Sequence, residues 1–181
     1  LDIVALVNAI LGTVPLSDTC AADLTGDGAL NVLDIVALVN AILGNARAVN
    51  TIDDALSATL IVSDTFIELK SDGYVQGVEL QLIHGNDFSI SLEDAHISEY
   101  YTDGNKTTVL LVTDGIQSIN KVAQIEGDYS VVSHIVSDSK SEMVPLTLTE
   151  VSDFSIGNAF PNPFNPSTTV ELELNKESFV S

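Results

Sequence analysis

The stretch Leu1–Gly12, LDIVALVNAILG, returns without a change as Leu33–Gly44. Twelve identical residues, thirty-two positions apart, mark a duplicated structural unit. The second copy is led in by Asp23-Leu-Thr-Gly-Asp-Gly-Ala-Leu-Asn-Val-Leu-Asp34. A calcium loop of the EF-hand kind takes oxygen ligands from positions 1, 3, 5, 7, 9 and 12, and needs glycine at 6 for its sharp turn. Counted from Asp23, those positions are Asp23, Thr25, Asp27, Ala29 (through its carbonyl), Asn31 and Asp34, with Gly28 at the turn. Leu30 is the apolar residue that pins such a loop to a core. Three carboxylates held close repel one another, so metal is expected to order the loop. Asp34 reaches less far than the commoner glutamate, and Thr25 is neutral, which points to a weak site of about 10⁻⁴–10⁻³ M, suited to extracellular calcium. Asp72-Gly73, Asp103-Gly104 and Asp114-Gly115 lack the flanking ligand spacing and read as turns.

From Ile35 to Leu43 only Asn40 is polar. A helix on a surface shows a polar face, whereas this one must be covered on two sides. It is far shorter than the roughly 20 apolar residues a membrane span needs. One cover is expected to be the other copy, and the second another domain of this chain or a separate protein. Asp2 matches Asp34, but the rest of its loop would precede residue 1. The chain therefore reads as a piece of a longer protein, with only one of two calcium sites whole.

Residues 1–46 resemble the dockerin family, paired calcium-loop-and-helix units that bind cohesin domains in extracellular cellulosome-like systems. The resemblance implies Ca2+ on Asp23, Thr25, Asp27, Asn31 and Asp34. It also implies partner contacts at Val32, Leu33, Val39 and Asn40, which are mostly apolar where many dockerins carry hydroxyl or basic residues. Identical copies would present one face twice, which in the family permits two binding orientations.

The chain has 181 residues, 26 acidic against 6 basic, and a formal net charge of −20. That balance argues against nucleic acid and against anionic lipid as partners. Hydrophobic content of 45% is too high for disorder. No stretch reads as a membrane span or signal peptide. Cys20 is the single cysteine and reads as a small core residue near the loop.

Over residues 54–150 the apolar period falls to two. Val78, Leu80 and Leu82 alternate with Glu79 and Gln81; Phe88, Ile90 and Leu92 with Ser89 and Ser91; Val144, Leu146 and Leu148 with Pro145 and Thr147. Ile67 and Leu69 flank Glu68, and Val109–Val112 is wholly apolar, as a central strand is. Turn signals fall at Ser71–Gly73, His84–Asp87, Thr102–Asn105, Asp114-Gly115 and Gly127-Asp128. About eight short strands at this spacing predict an antiparallel β-sandwich. The phrase Gly77-Val-Glu-Leu-Gln-Leu82, then Asp87-Phe88, resembles cohesin-like sandwich domains of secreted carbohydrate-active proteins. Glu68, Glu79, Glu93, Asp94 and Glu99 read as solvated carboxylates rather than a glycosidase pair. His84, His96 and His134 have no metal-ligand spacing, and no Gly-x-Ser-x-Gly elbow exists. Tyr100-Tyr101 offers a carbohydrate platform but reads more simply as a core or edge pair. Asn105-Lys-Thr107 matches a glycosylation sequon.

At the C-terminal end Pro161, Pro163 and Pro166 stiffen an extended lead-in, and Val170, Leu172 and Leu174 alternate as a strand. The string PNPFNPSTT, Pro161–Thr169, resembles the start of the C-terminal sorting domain of type IX secretion. That resemblance implies a partial immunoglobulin-like sandwich over 154–181 and contact with secretion machinery at the outer membrane. The chain thus reads as cut at both ends.

The expected architecture is multidomain: a small all-α calcium-loop/helix duplicate (1–46), a linker (47–53), an all-β antiparallel sandwich (54–150) and a partial immunoglobulin-like β domain (154–181). The expected function is a non-catalytic, calcium-binding docking or attachment region of a secreted or surface-attached bacterial protein, with a cohesin-like partner. The parent protein is expected to be a glycoside hydrolase or other secreted hydrolase. The alternative is a structural adhesin whose helices pack on its own sandwich.

Overall fold

The computed structural model describes residues 2–43, 53–114, 117–151, 154–156, 160, 169 and 172–174. The repeat forms two helices, α1 (Ile3–Leu11) and α2 (Val32–Leu43). Strands follow: β1 (Ala58–Ser63), β2 (Phe66–Ser71), β3 (Gly77–His84), β4 (Ser89–Leu92), β5 (Ile97–Asp103), β6 (Lys106–Val112), β7 (Lys121–Glu126), β8 (Tyr129–Ser137) and β9 (Leu146–Val151). They make a five-stranded sheet, β4-β7-β2-β1-β9, and a four-stranded sheet, β5-β6-β3-β8. Leu60, Ile67, Leu69, Val78, Leu80, Leu82, Val109, Leu111, Val122, Ile125 and Val136 fill the core that both sheets share. These are the inward positions of the period-two pattern, so the β-sandwich follows from the alternation.

One pairing departs from an antiparallel sandwich: β1 runs parallel to β9, from Ala58↔Leu146 to Ser63↔Val151. The chain reaches β9 from β8, which belongs to the other sheet, so no hairpin dictates its direction.

The expectation of a separate all-α part is overturned. The chain is mostly strand, and among the described residues it has only two short helices, both lying on the outer face of the four-stranded sheet. Leu110 and Val112 of β6 point away from the sandwich core and join Leu6, Val7, Leu11, Val32, Ile35, Val36, Leu38 and Val39 in one buried cluster. Their neighbours Val109 and Leu111 face the other way, into the sandwich. The continuous apolar run Val109–Val112 is thus buried on both faces, under helices on one side and a sheet on the other. Each side chain so covered contributes about 1.5–3 kcal/mol. An apolar helix needing a second cover and a sheet face needing any cover satisfy each other.

The C-terminal expectation is also corrected. Its described residues form only a two-stranded antiparallel ladder, β10 (Phe154–Ile156) with β11 (Leu172–Leu174), and a bridge from Phe160 to Thr169. A partial immunoglobulin-like sandwich is not evident there. Residues 161–168, most of the PNPFNPSTT string, the linker residues 47–52, and Gly115 of the Asp114-Gly115 turn lie outside the described residues.

Candidate metal loop and helix-docking face

The loop from Asp23 to Asp34 closes on itself through its acidic side chains. Asp23 Oδ1 accepts from the backbone N–H of Gly26 (2.7 Å) and Asp27 (3.2 Å), and its Oδ2 from Gly28 (2.9 Å). Gly26 and Gly28 sit at φ +74° and +85°, the left-handed region that glycine enters without a Cβ penalty. Asp27 Oδ1 accepts from Ala29 N (2.8 Å), and its Oδ2 from Asn31 Nδ2 (3.4 Å). Asp34, fully buried, accepts at Oδ1 from Leu24 N, Thr25 N and Thr25 Oγ1, and at Oδ2 from Asn31 N. The Thr25 hydroxyl also lies 3.4 Å from Asp23 Oδ1. The structure therefore brings Asp23, Thr25, Asp27, Asn31 and Asp34 into one hydrogen-bonded loop, with Ala29 at its exposed side. Among the described residues no group of three or more His, Cys, Asp or Glu side chains is arranged to hold a metal ion. The carboxylate oxygens face loop N–H groups instead.

The loop also caps α2. Asn31 Oδ1 accepts from Leu33 N at 2.8 Å, while Asp34, three residues on, bonds back to Asn31 N. This is a variant of the capping box in which the cap side chain takes the second N–H of the helix rather than the third. In the first copy Asp2 instead caps α1 directly, accepting from Val4 N at 3.1 Å. One residue type at the same place in an identical dodecapeptide thus does two jobs.

The four residues that the resemblance assigns to a partner protein face this chain's own surfaces. Val32, Leu33 and Val39 are buried. Asn40 Nδ2 donates to the Ser139 carbonyl (2.9 Å), and its Oδ1 accepts from Gln76 Nε2 (3.1 Å). Gln76 has no exposed surface. Ser139 N in turn donates to Asp54 Oδ1 (3.1 Å), and Lys140 Nζ pairs with Asp54 Oδ2 at 2.8 Å. Burial alone would raise the Asp54 pKa, but the hydrogen bonds from Lys140 and Ser139 and the lysine charge hold it below the usual carboxylate value. A polar chain therefore runs from α2 through Ser139 to the segment that leads into β1.

Two further residues of the sheet make the fit. Gly77 lies under α2; a Cβ there would meet Val32 Cγ2 and Val36 Cγ2 at 2.8 Å, so only glycine lets the helix approach this closely. Glu79 Oε2 accepts from Val32 N at 2.9 Å, which ties the exit of the loop to β3. Burial pushes the Glu79 carboxyl up to about 7; the Val32 N–H opposes this, the Asp34 charge adds to it, and Lys106 weakly offsets it. Sequence reasoning passed over both. Glu79 occupied an outward position of an alternating strand and read as solvated, and only the two-faced apolar run of β6 hinted that this face was covered.

Elsewhere, Cys20 is exposed rather than in a core. Tyr100 and Tyr101 stand on β5, an edge strand, and both are exposed. His84 stacks on Phe88 with centroids 3.9 Å apart, and its Nε2 meets Thr107 Oγ1 at 2.8 Å. Thr107 of the sequon is buried, bonded to His84 and to Thr102.

No protein-family model matches the chain, and no curated protein does. Among solved structures it is similar to a non-cellulosomal cohesin from the hyperthermophilic archaeon Archaeoglobus fulgidus, with a TM-score of 0.39, 11% identity, and coverage of 53% of this chain and 88% of that one. It is also similar to a chain of a type I cohesin–dockerin complex from Clostridium thermocellum, with a TM-score of 0.37, 14% identity, and coverage of 57% and 98%.

Proposed function

We propose that this chain is a non-catalytic structural and attachment region of a secreted or cell-surface protein, in which the Asp23–Asp34 loop takes up calcium and so fixes the helix pair on the sandwich. The observation that carries the reading is the contact between Glu79 and Val32 N–H. It joins the last turn of the loop to β3, so whatever orders the loop orders the attachment. The side chains of Asp23, Thr25, Asp27, Asn31 and Asp34 and the Ala29 carbonyl would hold the ion. Its two positive charges would offset two of the three carboxylate charges in the loop, on a chain of net charge −20. Uptake requires Asp34 and Asp23 to exchange part of their N–H bonding for the ion, which agrees with a Kd of about 10⁻⁴–10⁻³ M.

Calorimetric titration should give one site, and Asp23→Ala or Asp27→Ala should abolish it. At 10 mM calcium such a site adds about 1–3 kcal/mol of stability. If both variants bind calcium as the unaltered chain does, the loop reading is wrong. The burial of Val32, Leu33 and Val39 favours packing on the chain's own sandwich over docking to a foreign cohesin-like domain. Size exclusion with and without a cohesin panel separates the two. Complex formation with any member, with the helices' protection from exchange altered on binding, would defeat the structural version. Export rests on the Pro161–Thr169 string and is tested by whether a reporter fused to residues 154–181 reaches the surface of a type IX-secreting cell.

A further inference from the structure

The outer face of the four-stranded sheet is divided into two regions. Gly77, Glu79, Leu110, Val112, Ile97 and Ile135 lie towards the helices. Two residues further along the strands, the register sets Tyr101 of β5 opposite Thr108 of β6, Thr108 opposite Gln81 of β3, and Gln81 opposite Ser133 of β8. Alternation puts these four on the same side as Glu79 and Leu110. None of them belongs to the cluster that the helices bury. Tyr100, opposite Val109, points the other way.

The row has a definite chemistry. Tyr101 is 40% exposed, Gln81 and Ser133 are half-buried, and Thr108 forms a floor at 7%. At about 4.8 Å per strand the row is roughly 14 Å long. It offers one aromatic ring, one amide and two aliphatic hydroxyls; on the same face the exposed carboxylates Glu99 and Asp103 flank Tyr101 along β5, and Lys106 stands opposite Asp103. Amides and hydroxyls both donate and accept, and match a ligand that does the same along its length. The tyrosine ring presents an apolar face with a polar tip, suited to the C–H face of a sugar ring. A net charge of −20 repels anionic polymers, and a row with a single apolar body is a poor seat for an amphipathic helix. We propose that Tyr101, Thr108, Gln81 and Ser133 form a binding strip for a neutral polysaccharide chain, with Tyr101 as the stacking platform.

Affinity electrophoresis of the full chain through gels containing a neutral β-glucan, a xylan or a mannan tests this. Retardation is expected on at least one polymer. Tyr101→Ala should weaken the apparent affinity about tenfold, and Tyr101→Phe should leave most of it, since the ring persists. Gln81→Ala, which keeps the ring, should weaken it by a smaller factor. Melting temperatures measured alongside show whether the variants fold, and should Tyr101→Ala unfold, the Tyr101→Phe and Gln81→Ala pair decides the matter. No retardation on any of the polymers overturns the proposal, as does retardation unchanged by both Tyr101→Ala and Gln81→Ala.

Discussion

Replacing Glu79 by glutamine removes a charge from beneath the helix layer while keeping an oxygen that can accept the Val32 N–H. The carboxyl titrates near 7 in the folded chain against an ordinary value of 4.5, chiefly because it is buried. Between those two values the folded state holds a proton that the unfolded state has released. Stability must then fall as pH rises across that window, being highest below 4.5 and lowest above about 7. The interval between the two values, at 1.36 kcal/mol per pH unit, gives about 3 kcal/mol as the full amplitude. The neutral amide has no such dependence. Glu79→Gln should match the unaltered chain at pH 4 and exceed its stability by up to about 3 kcal/mol at pH 8. Urea denaturation in chelator-treated buffer at four pH values between 4 and 8.5 measures both curves. Repulsion among the many other carboxylates affects both chains alike and cancels in the difference. Parallel curves across this range would refute the claim that the Glu79 carboxyl is buried under α2.

Three other outcomes follow from the same packing. Val36 and Val4 occupy the same place in identical dodecapeptides, yet Val36 is fully buried and Val4 is 60% exposed. Val36→Ala should cost about 2 kcal/mol in a chemical melt and Val4→Ala less than about 0.5. Equal costs would mean that the two helices do not differ in cover. Gly77→Val should destabilise by about 1–3 kcal/mol through its clash with Val32 and Val36, and should raise hydrogen exchange in α2 before it does so in β2 or β7. Uniform exchange would place the strain elsewhere. Asp27→Ala should remove the stabilisation by calcium and leave the metal-free melt nearly unmoved, because Asp27 is exposed and its bonds lie within the loop.

Much of the sandwich was legible because burial on one face writes a period of two. Val78, Leu80 and Leu82 fall where the alternation predicts, and the Thr102–Asn105 and Gly127-Asp128 signals become the β5–β6 and β7–β8 turns. Strands whose faces are not sorted by water left a weaker mark. β5 is an edge strand exposed from Glu99 to Asp103, so few of its side chains had to be apolar. β8 carries a bulge where Gln81↔Ser133 gives way to Leu82↔Val131, which breaks the count at Val132. The parallel β1–β9 pair joins segments more than eighty residues apart, and no local pattern encodes that register. In the loop, ligand-type residues were legible from spacing, but the bonding of Asp34 to Leu24, Thr25 and Asn31 depends on backbone N–H positions that spacing leaves open.

The repeat shows where local sequence stops deciding. LDIVALVNAILG makes a helix in both places, because helix formation depends on residues within a few turns. Burial does not copy over. Ile35 and Val36 are sealed against α1 and the sheet, while Ile3 is half-buried and Val4 exposed. At the other end Leu11 is buried and its twin Leu43 is 41% exposed. The difference lies in what the second copy meets: the capping loop before it, Gly77 beneath it, and the Gln76 and Ser139 groups that receive Asn40. In the first copy Asn8 accepts instead from Thr13, within its own helix end. An all-apolar helix therefore demands two covers, but only the surface it is offered selects which of two identical copies receives the second one.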